Sequence, residues 1–317
     1  MAFVLTSGGI VPPEQAGVSA SDAGLLHGVG LFETMLARRG QVHRLAEHLE
    51  RLVDSAELLG LAKTLYPEPL GELVLDAARH ASDEQWAELA GGFWRLRLTI
   101  TGGALNLLAR DQPDQPVHRP TILVHATPTS PPPAQLTDRG VAVGIADLRV
   151  NPFDPFESHK TLNYWRRLRA LQDAASQGLG EAIVLQVTNH LAGGCVSNLF
   201  IVPADGPAGD GKTDRLLTPI VRGEEPKAGV PSPVLPGVAR RAIIEQAHAR
   251  GYDIARQMLS IDDLLDAKEA FLTSSTIGVL PIVAVEGKQL ADGTPGPVTR
   301  ELLSSWQGEL AALGDDL

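Results

Sequence analysis

The chain has 317 residues, 44% of them apolar, and a formal net charge of −11. That length suits two domains better than one core, and the acidic balance without a basic cluster argues against nucleic acid or anionic membrane as partners. No apolar run reaches eighteen residues, MAFVLTSGG does not read as a secretory signal, and the single Cys195 excludes an internal disulfide and favours a reducing, cytoplasmic setting.

In chain order, residues 30 to 38 (GLFETMLAR) read as a strand ended by an Arg39-Gly40 turn. Leu45, Leu49, Leu52, Ala56 and Leu59 then form one apolar stripe at helical spacing, and a second helix is expected over much of 68 to 82. RLRLTIT at 95 to 101 alternates by twos, and TILVHA at 121 to 126 is a further β-rich run. The three consecutive prolines of residues 127 to 135 predict a stiff linker. It divides an N-terminal α/β domain, 1 to 126, from a C-terminal domain, 136 to 317, that carries Lys160. In the second half VAVGIADL and EAIVLQV read as strands, with a helix between them running from just after Lys160 to about Gln177. Residues 203 to 234, rich in Gly, Pro and Asp, read as a long surface loop. A helix follows Leu235-Pro236-Gly237, then the strand EAFLT, then a last helix from near Pro297. This mixed order predicts α+β layers, not a regular βαβ repeat.

Chemistry concentrates around Lys160, in SHKTLNYW at the start of a helix-like stretch. Taken singly it reads as a solvated lysine. A lysine that attacks a carbonyl needs burial or nearby positive charge to make its amine neutral, which sequence alone does not display. Four other segments accompany it: DAGLLHGVGLFET at 22 to 34, HLERL at 48 to 52, LPGVAR at 235 to 240 and FLTSSTIGVLPI at 271 to 282. Gly237-Val238-Ala239 opens a helix whose first N–H groups suit a phosphate, and Gly237 lets the backbone approach closely. Ser275 and Thr276 offer further donors, and Arg51 offers a planar fork. Each of these also reads, by itself, as an ordinary helix start, polar loop or solvated helix position.

In this order the segments resemble the fold-type IV (class IV) pyridoxal-phosphate enzymes: branched-chain and D-amino-acid aminotransferases and aminodeoxychorismate lyase. The resemblance covers nearly the whole chain and implies a two-domain α+β fold with the cofactor in the interdomain cleft, and a homodimer. It assigns the Schiff-base lysine to Lys160, a contact with the cofactor's phenolic oxygen to Tyr164, and phosphate binding to Arg51, Gly237, Val238, Ala239, Ser275 and Thr276. By the same resemblance Arg97 binds a substrate carboxylate, with a solvent-facing arginine as the even alternative, and Phe32 lines the substrate pocket, with packing alone as its alternative. Where D-amino-acid enzymes resemble T-R-G this chain has Thr101-Gly102-Gly103, which counts against D-amino acids. His27, where members often carry an aromatic, is placed near a subunit interface, and His159 reads as a packing or turn residue with a proton relay as the alternative.

The chain departs from the pattern at Gly193, in LAGGCVSNLF, where the family usually has a glutamate bonded to the pyridine nitrogen. That carboxylate keeps the ring protonated and electron-withdrawing. Another acid or a water replaces it, the enzyme works with a weaker electron sink, or catalysis is lost while the cofactor is kept. Cys195 reads as a small buried filler. No metal-ligand spacing is present. The expected function is transfer of an amino group between an amino acid or amine and a 2-oxo acid. The alternatives are an aminodeoxychorismate lyase, forming 4-aminobenzoate and pyruvate, and a non-catalytic pyridoxal-phosphate-binding homologue.

Overall fold

The computed structural model describes residues 2–62, 65–82, 92–104, 120–204 and 215–314. The chain divides into two compact units: Met1–Ser130 with His159–Tyr164 and Leu313–Leu317, and Pro131–Ser158 with Trp165–Ala312.

The first unit is a sheet with helices on one face. Its strands are β1 (Phe3–Thr6), β2 (Gly9–Val11), β3 (Gly30–Arg38), β4 (Gln41–Val42), β5 (Phe93–Thr101) and β6 (Ile122–Thr129), ordered β2-β1-β6-β5-β3-β4 with every pairing antiparallel. Its helices are α1 (Ala23–His27), α2 (Leu45–Leu58) and α3 (Pro67–Ala81). Side chains alternate across a strand, so Leu31, Met35, Trp94, Leu96, Leu98, Val124 and Ala126 share one face and form a core with Leu49 and Leu52 of α2 and Leu70 and Val74 of α3. Arg39 (φ 49°) and Gly40 (φ 77°) both take left-handed backbone, which suits the tight turn from β3 to β4. Asp22 caps α1 through the Gly24 N–H and also accepts from the Thr101 and Thr121 hydroxyls, tying α1 to the sheet.

The second unit is built on a larger mixed sheet. Its strands are β7 (Val141–Val150), β8 (Glu181–Gln186), β9 (Leu191–Gly194), β10 (Asn198–Val202), β11 (Arg215–Pro219), β12 (Asp253–Gln257), β13 (Glu269–Ser274), β14 (Gly278–Val285) and β15 (Lys288–Gln289). The order is β12-β11-β10-β13-β14-β7-β8-β9, with β15 beside β14 and parallel pairing at β11/β12, β14/β7 and β7/β8. Its helices are α4 (Ala134–Arg139), α5 (Trp165–Ser176), α6 (Val238–Ala249), α7 (Ile261–Leu265) and α8 (Pro297–Ala311). β8 and β10 are buried along their whole length, which is why they read as continuous apolar runs. Phe200 and Phe271, opposite each other on β10 and β13, stack at 5.0 Å.

The division between the units falls between Ser130 and Pro131, inside the residues 127 to 135 expected to link them, with β6 running on to Thr129 and α4 beginning at Ala134. Two expectations change. Lys160 belongs to the first unit rather than the C-terminal one, because its segment pairs with β3. Residues 203 to 234 are not one loop. Residues 205–214 lie outside the described set, and β11 follows them inside the sheet, parallel to β12 and antiparallel to β10. Ladder pairing on both sides outweighs the turn-forming composition around it.

Candidate active site

The site in the first unit is built on the face of β3 and β5 opposite the helices. Residues 160–162 run extended beside β3: the Phe32 N–H donates to the Lys160 carbonyl (2.9 Å), the Leu162 N–H donates to the Gly30 carbonyl (3.0 Å), and Leu31 bridges Thr161. Gly30 is needed there, since an added Cβ would lie 2.6 Å from the Ile100 carbonyl and 2.7 Å from the Leu162 side chain. Lys160 is therefore held by a strand-like pairing, and the expected helix begins only at Trp165. The pairing satisfies backbone groups that a helix start would leave open.

Four side chains meet here. The Lys160 Nζ lies 4.4 Å from the centre of the Phe32 ring and 5.6 Å from that of Tyr164, and the two rings touch edge to face at 5.2 Å. The Arg97 guanidinium lies 3.6 Å above the same Phe32 ring. Arg97 is half-buried and makes no side-chain hydrogen bond or ion pair among the described residues. Burial lowers its pKa from the ordinary value, with Tyr164 opposing and Arg95 reinforcing that shift. Phe32 is thus both packed and the floor of a cationic patch, and Arg97 does not simply face solvent.

On the helix side of β3 lies a buried charge cluster. The Glu33 carboxylate accepts from Arg51 at both oxygens (Nε 2.8 Å, Nη2 2.6 Å), while His48 Nδ1 lies 2.7 Å from Oε2. Burial opposes ionisation of Glu33, but the Arg51 charge and the His48 hydrogen bond outweigh it and hold the carboxyl at about 2. Burial lowers the His48 pKa, with Arg51 and Lys160 adding to that effect and Glu33 opposing it, so the ring is neutral at physiological pH. Two nitrogens of the fork expected to face phosphate are therefore committed to Glu33. The sequence reading did not single out Glu33 as a partner. Its signal was a carboxylate among the inward-facing positions of β3, with His48 and Arg51 three apart on the buried face of the amphipathic α2.

In the second unit the start of α6 leaves backbone donors open. Gly237 is the N-cap of the twelve-residue α6 and no side chain caps it, so the first N–H groups lack the acceptors that later ones have. A Cβ at Gly237 would collide with the Asn198 amide oxygen, and the Asn198 Nδ2 donates to the Leu235 carbonyl (2.9 Å), fixing the approach to the helix. Arg240 anchors the same turn through Glu224, the Thr218 hydroxyl and the Pro219 carbonyl. Ser275 and Thr276 occupy the tight turn from β13 to β14, and Thr273, opposite Asn198, carries an enclosed hydroxyl with no partner among the described residues.

Gly193 has φ +122°, and a Cβ there would lie 2.7 Å from the Ser197 carbonyl. The backbone itself excludes the family's glutamate at this position. A carboxylate from the neighbouring strand nonetheless bonds to this turn. Glu181 of β8 accepts from the amides of Ala182 (3.1 Å), Cys195 (3.3 Å) and Val196 (3.4 Å) and from the Ser197 hydroxyl (3.1 Å). Burial raises its pKa against those hydrogen bonds. Cys195 is buried, and burial together with Glu181 pushes its thiol up to about 12, so it is a filler and not a nucleophile. His159 is buried with Nδ1 2.8 Å from the Ser55 hydroxyl, in a packing position, and His27 is exposed at the end of α1. Among the described residues no cluster of His, Cys, Asp and Glu could hold a metal, and no helix is long and apolar enough to cross a membrane.

The sequence profile of the amino-transferase class IV family matches residues 30–285. A bifunctional aminodeoxychorismate lyase / D-amino acid transaminase of Mycobacterium tuberculosis is 29% identical over 309 residues, 95% of this chain and 97% of that protein. A D-alanine aminotransferase of Listeria monocytogenes is 28% identical over 302 residues, 94% and 93% of the two chains. Among solved structures, the branched-chain amino acid aminotransferase of Escherichia coli superposes with a TM-score of 0.79 at 25% identity, covering 96% of this chain and 93% of that one.

Proposed function

The chain belongs to the amino-transferase class IV family and is an aminotransferase of that class, and we propose that it holds pyridoxal phosphate through Lys160 and moves an amino group between an amino acid or amine and a 2-oxo acid. The observation that carries this reading is the meeting of Lys160 and Arg97 on one ring, Phe32. An amine and a guanidinium on one aromatic floor suit a substrate that brings both a reacting carbon and a carboxylate.

The residues present fit the cofactor. The uncapped start of α6 at Gly237, Val238 and Ala239 and the hydroxyls of Ser275 and Thr276 suit a phosphate monoester, Arg51, already paired with Glu33, is assigned to the phosphate by the resemblance alone, and Tyr164 suits a phenolic oxygen. When bound, pyridoxal phosphate supplies the carbonyl that takes up the amine and a ring that withdraws electrons from the substrate's α-carbon. Lys160 Nζ accepts the proton from that carbon and returns it, as general base and then general acid. Phe32 and Tyr164 exclude water around Nζ, and Arg97 orients the substrate through its carboxylate. Glu181, whose carboxylate accepts from the turn that follows Gly193, supports the reading in which another acid replaces the missing glutamate.

Two features keep other outcomes in view. The K-T-L-N spacing after Lys160 resembles lyase-type members, and the Mycobacterium tuberculosis relative is named for both activities, which favours aminodeoxychorismate lyase as the second reading. The glycine at 193 motivates a non-catalytic binder. A donor screen read by cofactor absorbance separates them: amino transfer to pyruvate or 2-oxoglutarate supports the aminotransferase, and release of pyruvate and 4-aminobenzoate from aminodeoxychorismate the lyase. A spectrum unmoved by every amine points to the binder. Lys160→Ala should abolish the mass increment that borohydride reduction leaves on the loaded protein. Retention of that increment together with full turnover would sink the assignment. A cytoplasmic homodimer completes the proposal, supported by the buried lone thiol and by exposed Leu25, Leu26, Phe153, Phe156 and Trp165, and tested by the molar mass in solution.

A further inference from the structure

His159 is the residue at which the chain enters the first unit for the segment His159–Tyr164, before Trp165 returns to the second. Its ring is buried, and Nδ1 lies 2.8 Å from the hydroxyl of Ser55, a buried residue of α2 that is 104 positions away in the chain. Ser55 shares the buried face of α2 with His48 and Arg51, and those two side chains hold Glu33 of β3. One face of this helix is therefore bonded both to the neighbour of Phe32 and to the neighbour of Lys160. Just beyond His159 the main chain is tied a second time, where the Lys160 carbonyl accepts from the Phe32 N–H and Thr161 bridges Leu31. With the side chain of one residue and the carbonyl of the next both held, the Lys160 Cα has little freedom to turn. The direction of its Cα–Cβ bond sets what its stem can reach, and Nζ lies 4.4 Å from the centre of the Phe32 ring and 5.6 Å from that of Tyr164.

We propose that His159 is a positioning residue: its bond to Ser55 aims the stem of Lys160 at the carbon the amine attacks, so that breaking the bond slows the reaction of the lysine without loosening the hold on the phosphate. This rests on the reading of Lys160 as the residue that bonds pyridoxal phosphate. The step concerned is addition of the neutral amine to the aldehyde. A C=N bond forms, and the two amine protons leave with the aldehyde oxygen as one water. The bond to Ser55 serves in either tautomer, because Nδ1 can donate to the hydroxyl or accept from it. A lysine stem reaches many points, but attack requires the amine close to one carbon and in line with it, and misplacement by about 1 Å costs up to about a hundredfold in rate. Packing alone predicts something different. Losing the bond would then lower the stability of the protein and leave the rate of its folded molecules unchanged.

The test uses the full-length chain stripped of cofactor, as wild type and as Ser55→Ala, His159→Leu, His159→Asn and Lys160→Ala. Pyridoxal phosphate is added, the reaction is quenched with borohydride at intervals, and the mass increment on the peptide that carries Lys160 gives the rate. Affinity for pyridoxamine phosphate, which has no aldehyde to react, is measured in parallel by equilibrium dialysis. Ser55→Ala and His159→Leu should slow the modification of Lys160 about tenfold, the effect of one buried hydrogen bond. His159→Asn, whose amide sets a polar atom where Nδ1 stands, should stay within about threefold of wild type. Pyridoxamine phosphate should bind wild type and the Ser55 and His159 variants equally. Circular dichroism shows whether each variant is folded, and Ser55→Ala, which removes a single oxygen, carries the test if His159→Leu is not. Modification at the wild-type rate in the folded Ser55→Ala protein, or a His159→Asn protein as slow as His159→Leu, would overturn the positioning role and leave the assignment of Lys160 standing. Equal losses of rate and of pyridoxamine phosphate affinity would overturn it too, since a disturbed fold moves both. An increment that survives in Lys160→Ala, or that wild type never gains on the Lys160 peptide, sinks the reading beneath it.

Discussion

Replacing Glu33 by glutamine isolates the buried cluster that holds Arg51 in place. Glutamine keeps the size of the side chain but removes the charge, leaving an enclosed guanidinium beside a neutral amide. The Glu33 carboxyl stands at about 2, against 4.5 for the free group, and a displacement of that size contributes about 3 kcal/mol at neutral pH. Breaking one side of a buried ion pair costs about 3–5 kcal/mol by an independent route, so the two figures agree. The sign follows from the depressed value. The contribution is fully present above 4.5, where an unfolded Glu33 is also ionised, and is lost as pH falls from there through about 2. Urea unfolding of wild type and Glu33→Gln should therefore differ by about 1 M in midpoint at pH 7, taking a slope of about 3 kcal/mol per M. The gap should narrow steadily below pH 4.5. The double variant Glu33→Gln/Arg51→Gln should regain part of the loss, because the uncompensated charge is gone. A midpoint within about 0.2 M of wild type at neutral pH, or a gap that persists unchanged into acid, would refute the argument.

Three further outcomes follow from close approaches and orphaned groups. Gly193→Glu should destabilise the fold by about 1–3 kcal/mol and leave α-proton exchange no faster, because the backbone at φ +122° and the Ser197 carbonyl 2.7 Å from the new Cβ reject any side chain. A stable variant with faster exchange of the α-proton into deuterated water would show that the turn admits a carboxylate. Gly237→Ala should weaken pyridoxal phosphate by about tenfold or more in equilibrium dialysis, as the added methyl meets the Asn198 oxygen and shifts the start of α6. Unchanged affinity would remove that helix from the phosphate seat. Trp94→Ala, at the centre of the first unit's core, should cost about 3–5 kcal/mol in the same urea titration and leave the cofactor spectrum of the folded protein unchanged.

The local elements were largely legible because their causes are local. The stripe from Leu45 to Leu59 can be satisfied as a helix with one buried face, and α2 spans Leu45–Leu58. Alternation in RLRLTIT specifies a strand with arginines on one face, and β5 follows it. Pro236-Gly237 ahead of an apolar pattern specifies a helix start, and α6 begins at Val238. What composition misread were segments whose partners lie far along the chain. Arg215–Pro219 sits among turn-forming residues, yet β10 and β12 pair with both its edges. Lys160 precedes a helix pattern, yet its own backbone is claimed by β3, more than a hundred residues earlier.

The sequence by itself determined which residue types the proposed site draws on, because pyridoxal chemistry calls for a lysine, phosphate donors at a helix start and a cation for the substrate, and candidates for each appear in one order. It also displayed the exception at Gly193. Only the tertiary structure decided who stands beside whom. It set Glu33 against Arg51, laid Arg97 and Lys160 on the same ring, and aimed the Glu181 carboxylate of β8 at the turn that follows Gly193. Strand register and close packing make these choices, and both depend on contacts between residues distant in the chain, which periodicity cannot encode.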